Sequence, residues 1–476
     1  MTADITRTLI QSFEQAGQGQ VFHHWDSLSQ AEKTNLVEQA SSIDLAELTY
    51  LVETLVKVEV DEEHDFSSLE PAPYKALPSM GNQDPEWEQA LKAGEEALRA
   101  GRVAAFVVAG GQGTRLGFNG PKGTFPVTPI KGKTLFAVFA EKIIAAQRTY
   151  GCTIPWFIMT SKINHDATVS AFQENHFFGL DSDQVMFFSQ GLMPAVDFQG
   201  KIILSSPSEI AMSPDGHGGS LRALFRSGAT EKMKELGIDI ISYFQVDNPL
   251  VRCIDPTFIG FHALASSDMS SKMVKKAYPL EKVGHFCVQN EKHCVIEYSD
   301  MPDDLCEQAD SDGALRFIAG SIAIHILDRD FVEKLGSGAS DAKLPFHRAN
   351  KKIPYVAADE TIEKPSEPNG VKFEMFVFDA LPFAANPVII ETAREDDFSP
   401  VKNAEGVDSP ETSKQDQMRQ FARWMKAADL PILTDETGLP EIKIEISPLF
   451  GTDAGSFRRS WKGLEVRPDM KRDIAL

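Results

Sequence analysis

A glycine-rich turn with two nearby cations is the part of the chain that most directly suggests a chemical role. The apolar run Val103–Val108 leads into a turn over 109–117 that contains four glycines. Glycines let the backbone approach a bulky anion, and successive amide N–H groups can bind phosphate or the edge of a nucleobase. Arg115 and Lys122 bring two cations to this turn, which suits a polyphosphate better than a single carboxylate.

Three alternative identities of this turn have to be weighed. A dinucleotide fingerprint requires a glycine where Leu116 stands, and a Walker loop ending at Thr134 requires one where Val127 stands. A generic strand-to-helix turn is the third, and the two cations argue against it. The pattern G-G-x-G-T-R-L-G followed by P-K-G is typical of nucleotidyltransferases that make nucleoside-diphosphate sugars.

A carboxylate follows another apolar run. Asp247 stands directly after Ile238–Val246, and ligands of open α/β sheets bind at the carboxyl ends of strands. Mg²⁺ typically takes one or two carboxylates and leaves its other positions to phosphate and water. Asp247 is therefore the predicted metal ligand, and the alternative is a cap for the turn that follows it.

The elements that position these residues alternate between strand-like and helical patterns, which is typical of βαβ units and an α/β fold with a mainly parallel sheet. Strands are predicted at Val103–Val108, Trp156–Met159, Val185–Phe188 and Ile238–Val246. Helices are predicted at Glu86–Arg99, Thr134–Tyr150, Asn164–Asn175 and Gly219–Leu236. The glycine turn and Asp247 are therefore expected at neighbouring strand ends.

The two ends of the chain have different patterns. Helical periodicity covers Asp4–Ala16, Ser29–Ala40 and Leu45–Val58, and Val60–Asn82 is predicted to be an acidic linker. Near the other end, the predicted helix Ser413–Ala427 precedes short β-like runs. We predict a helical N-terminal region with linker over 1–95, a catalytic domain over 96–385 and a small α+β C-terminal domain over 386–476.

Composition excludes some classes of partner. The chain has 476 residues and a formal charge of −22, from 47 Lys and Arg against 69 Asp and Glu. Nucleic acid and anionic membranes carry the same sign of charge, so neither is an expected partner. The longest apolar run is too short to span a bilayer, and no signal-peptide pattern is visible. Five sparse cysteines favour a reduced compartment. We expect a cytoplasmic protein, either a monomer or a dimer.

Several further segments, in order along the chain, resemble the eukaryotic-type UDP-N-acetylglucosamine pyrophosphorylases within the UDP-sugar pyrophosphorylase family (UDPGP type 1). The similarity extends from about Tyr74 to Leu449. The segments that carry it, besides the glycine turn, are 190–195, 214–219, 246–248, 283–284, 296–298, 364–370, 376–379 and 394–404.

The resemblance implies a Rossmann-like nucleotidyltransferase fold of the GT-A type, with a mixed, mainly parallel central sheet. It also implies a uridylyltransferase that joins UTP and a sugar 1-phosphate into a UDP-sugar and pyrophosphate, with Mg²⁺ as cofactor. The sugar phosphate is already an anionic nucleophile, so alignment and charge neutralisation are expected to accelerate the reaction without a strong base. The sugar 1-phosphate is N-acetylglucosamine 1-phosphate, glucose 1-phosphate or a related hexose 1-phosphate.

The family's motifs give expected roles to matching positions of this sequence. UTP is expected to contact Gly110, Gly111, Gly113, Thr114, Gln190 and Gly216. The expected catalytic cations are Arg115 and Lys122, at the β- and γ-phosphates, and Lys402, at the incoming phosphate. The sugar is expected to contact His217, Gly284, Glu297, Ser321, Phe376 and Phe378, with Mg²⁺ on Asp247.

Some of these positions also have a role that their chemistry alone suggests. The amide of Gln190 offers a donor and an acceptor to a uracil edge, although a surface turn before Pro194 is the alternative. Phe376 and Phe378 fall on a predicted alternating strand, where core packing is the ordinary role.

Two positions depart from the N-acetylglucosamine enzymes of this group. Those enzymes carry Asn where this chain has His217, and a histidine resembles the UDP-glucose and broad UDP-sugar pyrophosphorylases. They also carry Asn in an Ala-Gly-Asn stretch, where this chain has Ser321. Both changes weaken the N-acetylglucosamine assignment and leave uridylyl transfer intact.

Two other functions remain open at this point. A non-catalytic UDP-sugar-binding or regulatory protein on the same scaffold would bind the nucleotide without turnover. A guanylyl or adenylyl transferase would accept other nucleoside triphosphates. The combined presence of Arg115, Lys122, Asp247 and Lys402 favours the uridylyltransferase.

Overall fold

The computed structural model describes residues 2–58, 66–78, 84–311, 313–338, 342–357 and 360–476. The chain divides into two compact units, each built from three separate stretches. The first unit comprises Met1–Phe66, Gln190–Ser220 and Leu344–Asp379, and the second comprises Ser67–Ser189, Leu221–Lys343 and Ala380–Leu476. The two ends of the predicted linker, 60–65 with its acidic run at 61–63 and 79–82, lie outside the described residues, whereas 66–78 is described. The predicted boundaries at 95 and 385 stay predictions.

A mixed sheet forms the centre of the second unit, and ten of its strands lie in the described part of the chain. They are Glu70–Pro71, Val103–Val108, Trp156–Thr160, Val185–Ser189, Ile240–Gln245, Met269–Lys275, Gly284–Gln289, Lys292–Ile296, Ala319–Asp328 and Val388–Glu391.

The parallel part of this sheet contains the four strands that the apolar runs predict. Val103–Val108 lies between Ile240–Gln245 and Trp156–Thr160, and Val185–Ser189 follows outside, with every neighbouring pair parallel. The three inner strands, Val103–Val108, Trp156–Thr160 and Ile240–Gln245, are buried on both faces, which explains their continuous apolar runs. Ala319–Asp328 pairs antiparallel with the other side of Ile240–Gln245 and begins the rest of the sheet.

The remaining strands contain polar residues, which make these strands difficult to recognise from the sequence. Met269–Lys275 contains Ser270, Ser271 and Lys272, all buried, and neither the period-2 pattern nor an apolar run marks it. Partners inside the unit, including a hydrogen bond of 2.9 Å between Ser270 Oγ and His262 Nδ1, make this burial possible.

Helices cover the central sheet and extend beyond it. In chain order they are Pro85–Arg99, Leu135–Tyr150, His165–Glu174, Gly219–Arg226, Ala229–Glu235, Pro256–Ala265, Asp303–Cys306, Arg329–Ser337, Arg394–Asp397, Pro410–Ala427 and Ala454–Lys462. The single helix predicted over 219–236 is wrong. Gly228 adopts a φ of 78°, in the left-handed region, and separates two helices there.

The C-terminal part of the second unit has its own apolar cluster. Helix Pro410–Ala427 packs against Ala454–Lys462 and the strand Ile444–Glu445, which pairs in parallel with Ile474–Ala475. Phe421, Met425, Ile444, Phe457 and Trp461 are among the buried residues of this cluster. This is the α+β character that the sequence predicts.

The first unit combines the helical start of the chain with short strands. Its helices are Thr2–Gln15, Gln30–Ser41 and Leu45–Leu51, with a π-helical turn at Val52–Val56. Its strands are Leu192–Pro194, Val196–Asp197, Leu204–Ser206, Glu209–Ile210, Met212–Pro214, His347–Lys351, Tyr355–Val356, Ile362–Glu363 and Gly370–Glu374. The buried amide of Gln18 joins the two sets, because it donates to Gly200 O at 2.8 Å and accepts from Ile202 N at 2.9 Å.

No helix in the described ranges combines the length and the apolar character that crossing a membrane requires.

Two buried histidines of the second unit give an expected pH dependence. Burial lowers the pKa of His262 and of His285 to about 4, and the nearby Lys276 adds to the shift at His285. Below pH 6.5, the ordinary pKa of histidine, these two side chains therefore bind protons in the unfolded chain but stay neutral in the folded chain. The contribution of these histidines to the free energy of unfolding should be full above pH 6.5 and should decrease as the pH falls toward 4, by about 1.4 kcal/mol per pH unit for each histidine.

Thermal unfolding across this pH range tests the expectation. His262→Gln keeps a polar group near Ser270 and cannot titrate, so its melting temperature should fall less steeply with acid. The exposed His23, changed to Gln, is the matched control. Equal slopes for both variants and the unaltered chain would contradict the assignment.

Candidate active site

The glycine turn is folded back on the segment that follows it. Lys122 N donates to Gly111 O at 3.0 Å, and Gly113 N donates to the carbonyl of Gly120 at 2.9 Å. Asn164, which is fully buried, fixes the turn from the other side through its side-chain Nδ2, which lies 2.9 Å from Ala109 O and 3.3 Å from Gly111 O. The turn therefore has a defined shape, although Thr114 and Arg115 within it remain exposed.

Lys122 joins the turn to a second segment of the same unit. Its Nζ donates to Val401 O at 3.2 Å. Burial lowers the pKa of Lys122, Asp247 opposes the shift, and the charges of Arg115 and Lys402 add to it. The charges of Asp247, Arg115 and Lys402 therefore all act on the ammonium group of Lys122.

Asp247 lies at the edge of a cavity of about 210 Å³ in the second unit. The predicted residues that line this cavity are Asp247, Gly284, Glu297, Ser321 and Lys402. Val401 N donates to Asp247 O at 2.8 Å, so the backbone of the strand end and the segment before Lys402 are joined directly. We call this cavity the Asp247 pocket.

The half-buried carboxylate of Asp247 fits a magnesium ligand. No ion pair or hydrogen bond engages its oxygens among the described residues, so they are available to a cation. Within those same residues no group of three or more His, Cys, Asp or Glu side chains is placed to hold a metal. A magnesium ion here would therefore take most of its ligands from phosphate oxygens and water, as Mg²⁺ commonly does.

The other side of the Asp247 pocket brings together residues predicted to contact the sugar. Gly284 pairs with Ser321 across two antiparallel strands. A Cβ at Gly284 would stand 2.6 Å from Val295 Cγ1 and 3.6 Å from Glu297 Oε1, so a side chain there would close this part of the pocket.

Several lining residues were not predicted from sequence. They are Phe244, Gln245, Asn248, Val251, Lys282, Val283, Tyr298, Ile322, Ala323, Ile324, Phe398 and Pro400. Most of these residues are next to predicted site residues in the sequence. Their position beside a motif is therefore the sequence signal by which they could have been found.

The first unit holds the predicted base-binding residues. Gln190 Nε2 donates to Gly216 O at 2.8 Å and to Asp215 Oδ1 at 3.2 Å. Gly216 has a φ of 81°, and a Cβ there would stand 2.3 Å from Met375 O, so only glycine fits. The structure thus brings Gln190 and Gly216 together, and the amide nitrogen of Gln190 is engaged by protein atoms.

An aromatic stack surrounds His217 in the same unit. Its ring lies 5.3 Å from that of Phe376 and 5.7 Å from that of Phe378, and the ring of His347 stacks on that of Phe376 at 4.6 Å. The predicted strand through Phe376 and Phe378 is wrong, because the strand ends at Glu374 and a 3₁₀ turn begins at Val377. The turn is what directs both phenylalanine rings toward one histidine.

His217, which this stack surrounds, is neutral. Val377 N donates to His217 Nδ1 at 3.1 Å, which leaves the proton on Nε2 as a possible donor. Burial, with a smaller contribution from His347, lowers the pKa of His217 to about 4.

The predicted site residues therefore form two sets, one in each unit. The first unit holds Gln190, Gly216, His217, Phe376 and Phe378. The second holds Gly110, Gly111, Gly113, Thr114, Arg115, Lys122, Asp247, Gly284, Glu297, Ser321 and Lys402.

Comparison with known families finds one that covers most of the chain. Residues 50–408 match the model of the family described as UTP–glucose-1-phosphate uridylyltransferase. The UDP-N-acetylhexosamine pyrophosphorylase-like protein 1 of Xenopus tropicalis is 38% identical over 446 residues, which cover 90% of this chain and 86% of the relative. The UDP-N-acetylglucosamine pyrophosphorylase of Saccharomyces cerevisiae is 37% identical over 439 residues, covering 88% and 91%.

Solved structures agree with this relationship. The uridine diphosphate N-acetylglucosamine pyrophosphorylase from Trypanosoma brucei, in complex with an inhibitor, is 25% identical, with a TM-score of 0.83 over 99% of this chain and 98% of that one. A UDP-glucose phosphorylase from the same organism is 16% identical with a TM-score of 0.59 over 90% and 87%, which is a likeness of fold alone. The Rossmann-like nucleotidyltransferase fold is confirmed.

Proposed function

Because this chain belongs to the UTP–glucose-1-phosphate uridylyltransferase family, we propose that its Asp247 pocket joins the uridylyl group of UTP to a hexose 1-phosphate. The chain is a uridylyltransferase that makes a UDP-sugar and releases pyrophosphate. The observation that carries the assignment of the site is the meeting of Lys122, Asp247 and Lys402 beside one pocket.

The reaction needs alignment of two anions. A phosphate oxygen of the sugar 1-phosphate attacks the α-phosphorus of UTP, and the bond to the β-phosphate oxygen breaks, so that pyrophosphate leaves in line. Arg115 and Lys122 bind the β- and γ-phosphates and stabilise the leaving charge. Lys402 offsets the repulsion between the incoming phosphate and the nucleotide.

Mg²⁺ is the proposed cofactor, with Asp247 as its protein ligand. When bound there, it supplies positive charge to the phosphate oxygens of both substrates.

The sugar is proposed to be a hexose 1-phosphate without strict dependence on an N-acetyl group. The relatives of this chain at 37–38% identity are named for N-acetylglucosamine or N-acetylhexosamine. The chain nevertheless carries Ser321 and a neutral His217 at the two positions where the family resemblance implies asparagine, so two side-chain amides expected of an N-acetylglucosamine enzyme are missing. Discrimination between glucose 1-phosphate and N-acetylglucosamine 1-phosphate should therefore be weak. The sparse cysteines support a cytoplasmic location.

A panel of sugar 1-phosphates tests this proposal. Purified protein with Mg²⁺ and a fixed concentration of UTP should release pyrophosphate with both sugars, with kcat/KM values within about tenfold of each other. Exclusive use of N-acetylglucosamine 1-phosphate would refute the proposed sugar class. Tight UTP binding without pyrophosphate release would instead indicate the non-catalytic binding protein.

Asn164 should affect nucleotide binding without contacting the nucleotide. Asn164→Ala removes two hydrogen bonds to the glycine turn, each with a net value of about 1 kcal/mol. We expect KM for UTP to rise about tenfold. Steady-state kinetics in UTP measure this, and Asn175→Ala, at an exposed helix end, is the control. An unchanged KM for UTP would show that the glycine turn keeps its shape without the hydrogen bonds from Asn164.

A further inference from the structure

Three charged side chains of the second unit are buried together in one ion-pair cluster. Lys272 Nζ lies 2.6 Å from Asp397 Oδ2 and 2.7 Å from Asp255 Oδ2. The side chains of Lys272, Asp255 and Asp397 are 1%, 8% and 2% exposed. We call these residues the Lys272 triad.

All three members stay charged. Burial acts to lower the pKa of Lys272, but Asp255 and Asp397 together overcome it and raise that pKa. Burial likewise acts against the charge of each carboxylate, and the attraction of Lys272 keeps both carboxyl pKa values below the ordinary range. Arg252, close to both carboxylates, balances the remaining negative charge.

Such a triad is a costly way to stabilise a core. Desolvation of buried ions offsets most of their attraction, and apolar residues of similar volume often serve a core as well. In some proteins such a group instead fixes one arrangement of the backbone, and the contacts of the Lys272 triad define that arrangement.

The contacts of Asp397 lead directly to the Asp247 pocket. Its backbone carbonyl accepts a hydrogen bond of 2.6 Å from Asn248 Nδ2, and its Oδ1 accepts one of 2.8 Å from Arg252 N. Asn248 in turn accepts from Ser399 N at 3.1 Å through Oδ1. Asn248, which contacts Asp397 of the triad, directly follows the predicted metal ligand Asp247 in the chain.

The position of Lys402 depends on this backbone. Its side chain is 43% exposed, and the nearest carboxylate, Asp408, is 4.0 Å away. Its Nζ lies 5.7 Å from the centre of the Phe398 ring. With such weak contacts at its tip, the ammonium group is placed mainly by the course of the segment 397–402.

We propose that Lys272 is a positioning residue. By holding Asp397, it fixes the segment 397–402 against the strand end at Asp247, so that the carboxylate of Asp247 and the ammonium group of Lys402 face one pocket. The expected effect of Lys272 on catalysis rests on the proposed function, whereas its expected effect on the backbone does not.

Kinetics and hydrogen exchange together test the proposal. Lys272→Met should lower kcat for pyrophosphate release about thirtyfold and leave KM for UTP within about threefold, because a small displacement of Lys402 misaligns the incoming phosphate. Amide exchange at 397–402 should rise at least about tenfold, while Val103–Val108 stays protected. Lys272→Arg keeps the charge and should recover part of both effects.

Matched variants keep the test decisive. Lys133→Met breaks a partly buried ion pair with Glu141 elsewhere in the unit and should change neither kcat nor exchange at 397–402. Asp397→Asn keeps the size of that side chain but removes its charge and should lower kcat about tenfold, so it carries the test if Lys272→Met does not fold.

Two results would overturn the proposal. One is a kcat within twofold of the unaltered chain in variants shown to be folded, and the other is unchanged exchange at 397–402. If the unaltered chain released no pyrophosphate with any sugar 1-phosphate, the proposed function would fail, and the exchange measurement alone would decide the positioning role.

Discussion

Asp247→Asn should lower kcat for UDP-sugar formation by about a thousandfold, the largest effect expected from any single change in this chain. The carboxylate stands at the edge of the Asp247 pocket with no partner among the described residues, so its charge is available to a cation. Asparagine has nearly the same size and removes only the charge. A thousandfold loss corresponds to about 4 kcal/mol, the scale of charge stabilisation that a bound metal ion supplies.

Steady-state pyrophosphate release over a series of Mg²⁺ concentrations measures this effect. Higher Mg²⁺ should restore part of the activity of Asp247→Asn, because the amide oxygen of asparagine is a weaker metal ligand than a carboxylate. Glu307→Gln removes an exposed carboxylate of the same unit and should behave like the unaltered chain. Activity of Asp247→Asn within tenfold of the unaltered chain would refute its role as the metal ligand.

Lys402→Met should lower kcat by about a hundredfold with a much smaller effect on UTP binding. Two phosphate groups with like charge must approach closely in this reaction, and Lys402 is, with Lys282, one of two lysines that line the Asp247 pocket. Methionine keeps the length of the side chain and its packing over Phe398 while removing the charge. The loss therefore reports transition-state stabilisation and leaves binding of the nucleotide largely intact.

Separate titrations of UTP and of the sugar 1-phosphate distinguish these contributions. Lys292→Met, at an exposed strand position, is the control for loss of a surface lysine. A rise in KM for UTP with unchanged kcat would place Lys402 at the nucleotide instead of the incoming phosphate, and the assigned role would be wrong.

The parallel strands, and the positions of the glycine turn and Asp247 at their ends, were predictable because their signals are local. Val103–Val108 is buried on both faces and therefore forms an unbroken apolar run, and the glycine turn follows it directly. Asp247 was predictable for the same reason, since it stands at the end of a second such run. Sequence order alone then places both at one edge of a parallel sheet.

Other features depend on contacts between distant parts of the chain and have no local signal. The strand Met269–Lys275 is polar in sequence, and its burial makes sense only once Asp255 and Asp397 are seen beside Lys272. Phe376 and Phe378 alternate as strand residues do, yet tertiary contacts with His217 favour a turn. Gly228 looked tolerable inside a helix, and only the backbone shows the break.

The discontinuous composition of the first unit has a consequence for biosynthesis. Its helical beginning is held by Gln18 to the backbone at Gly200 and Ile202, and its last stretch ends at Asp379. The ribosome therefore synthesises the N-terminal helices long before the segments that they contact. The first unit can fold only after most of the polypeptide has been synthesised. No contiguous fragment shorter than 1–379 contains all three stretches, so gene dissection should yield a stable first unit only where these stretches are kept together.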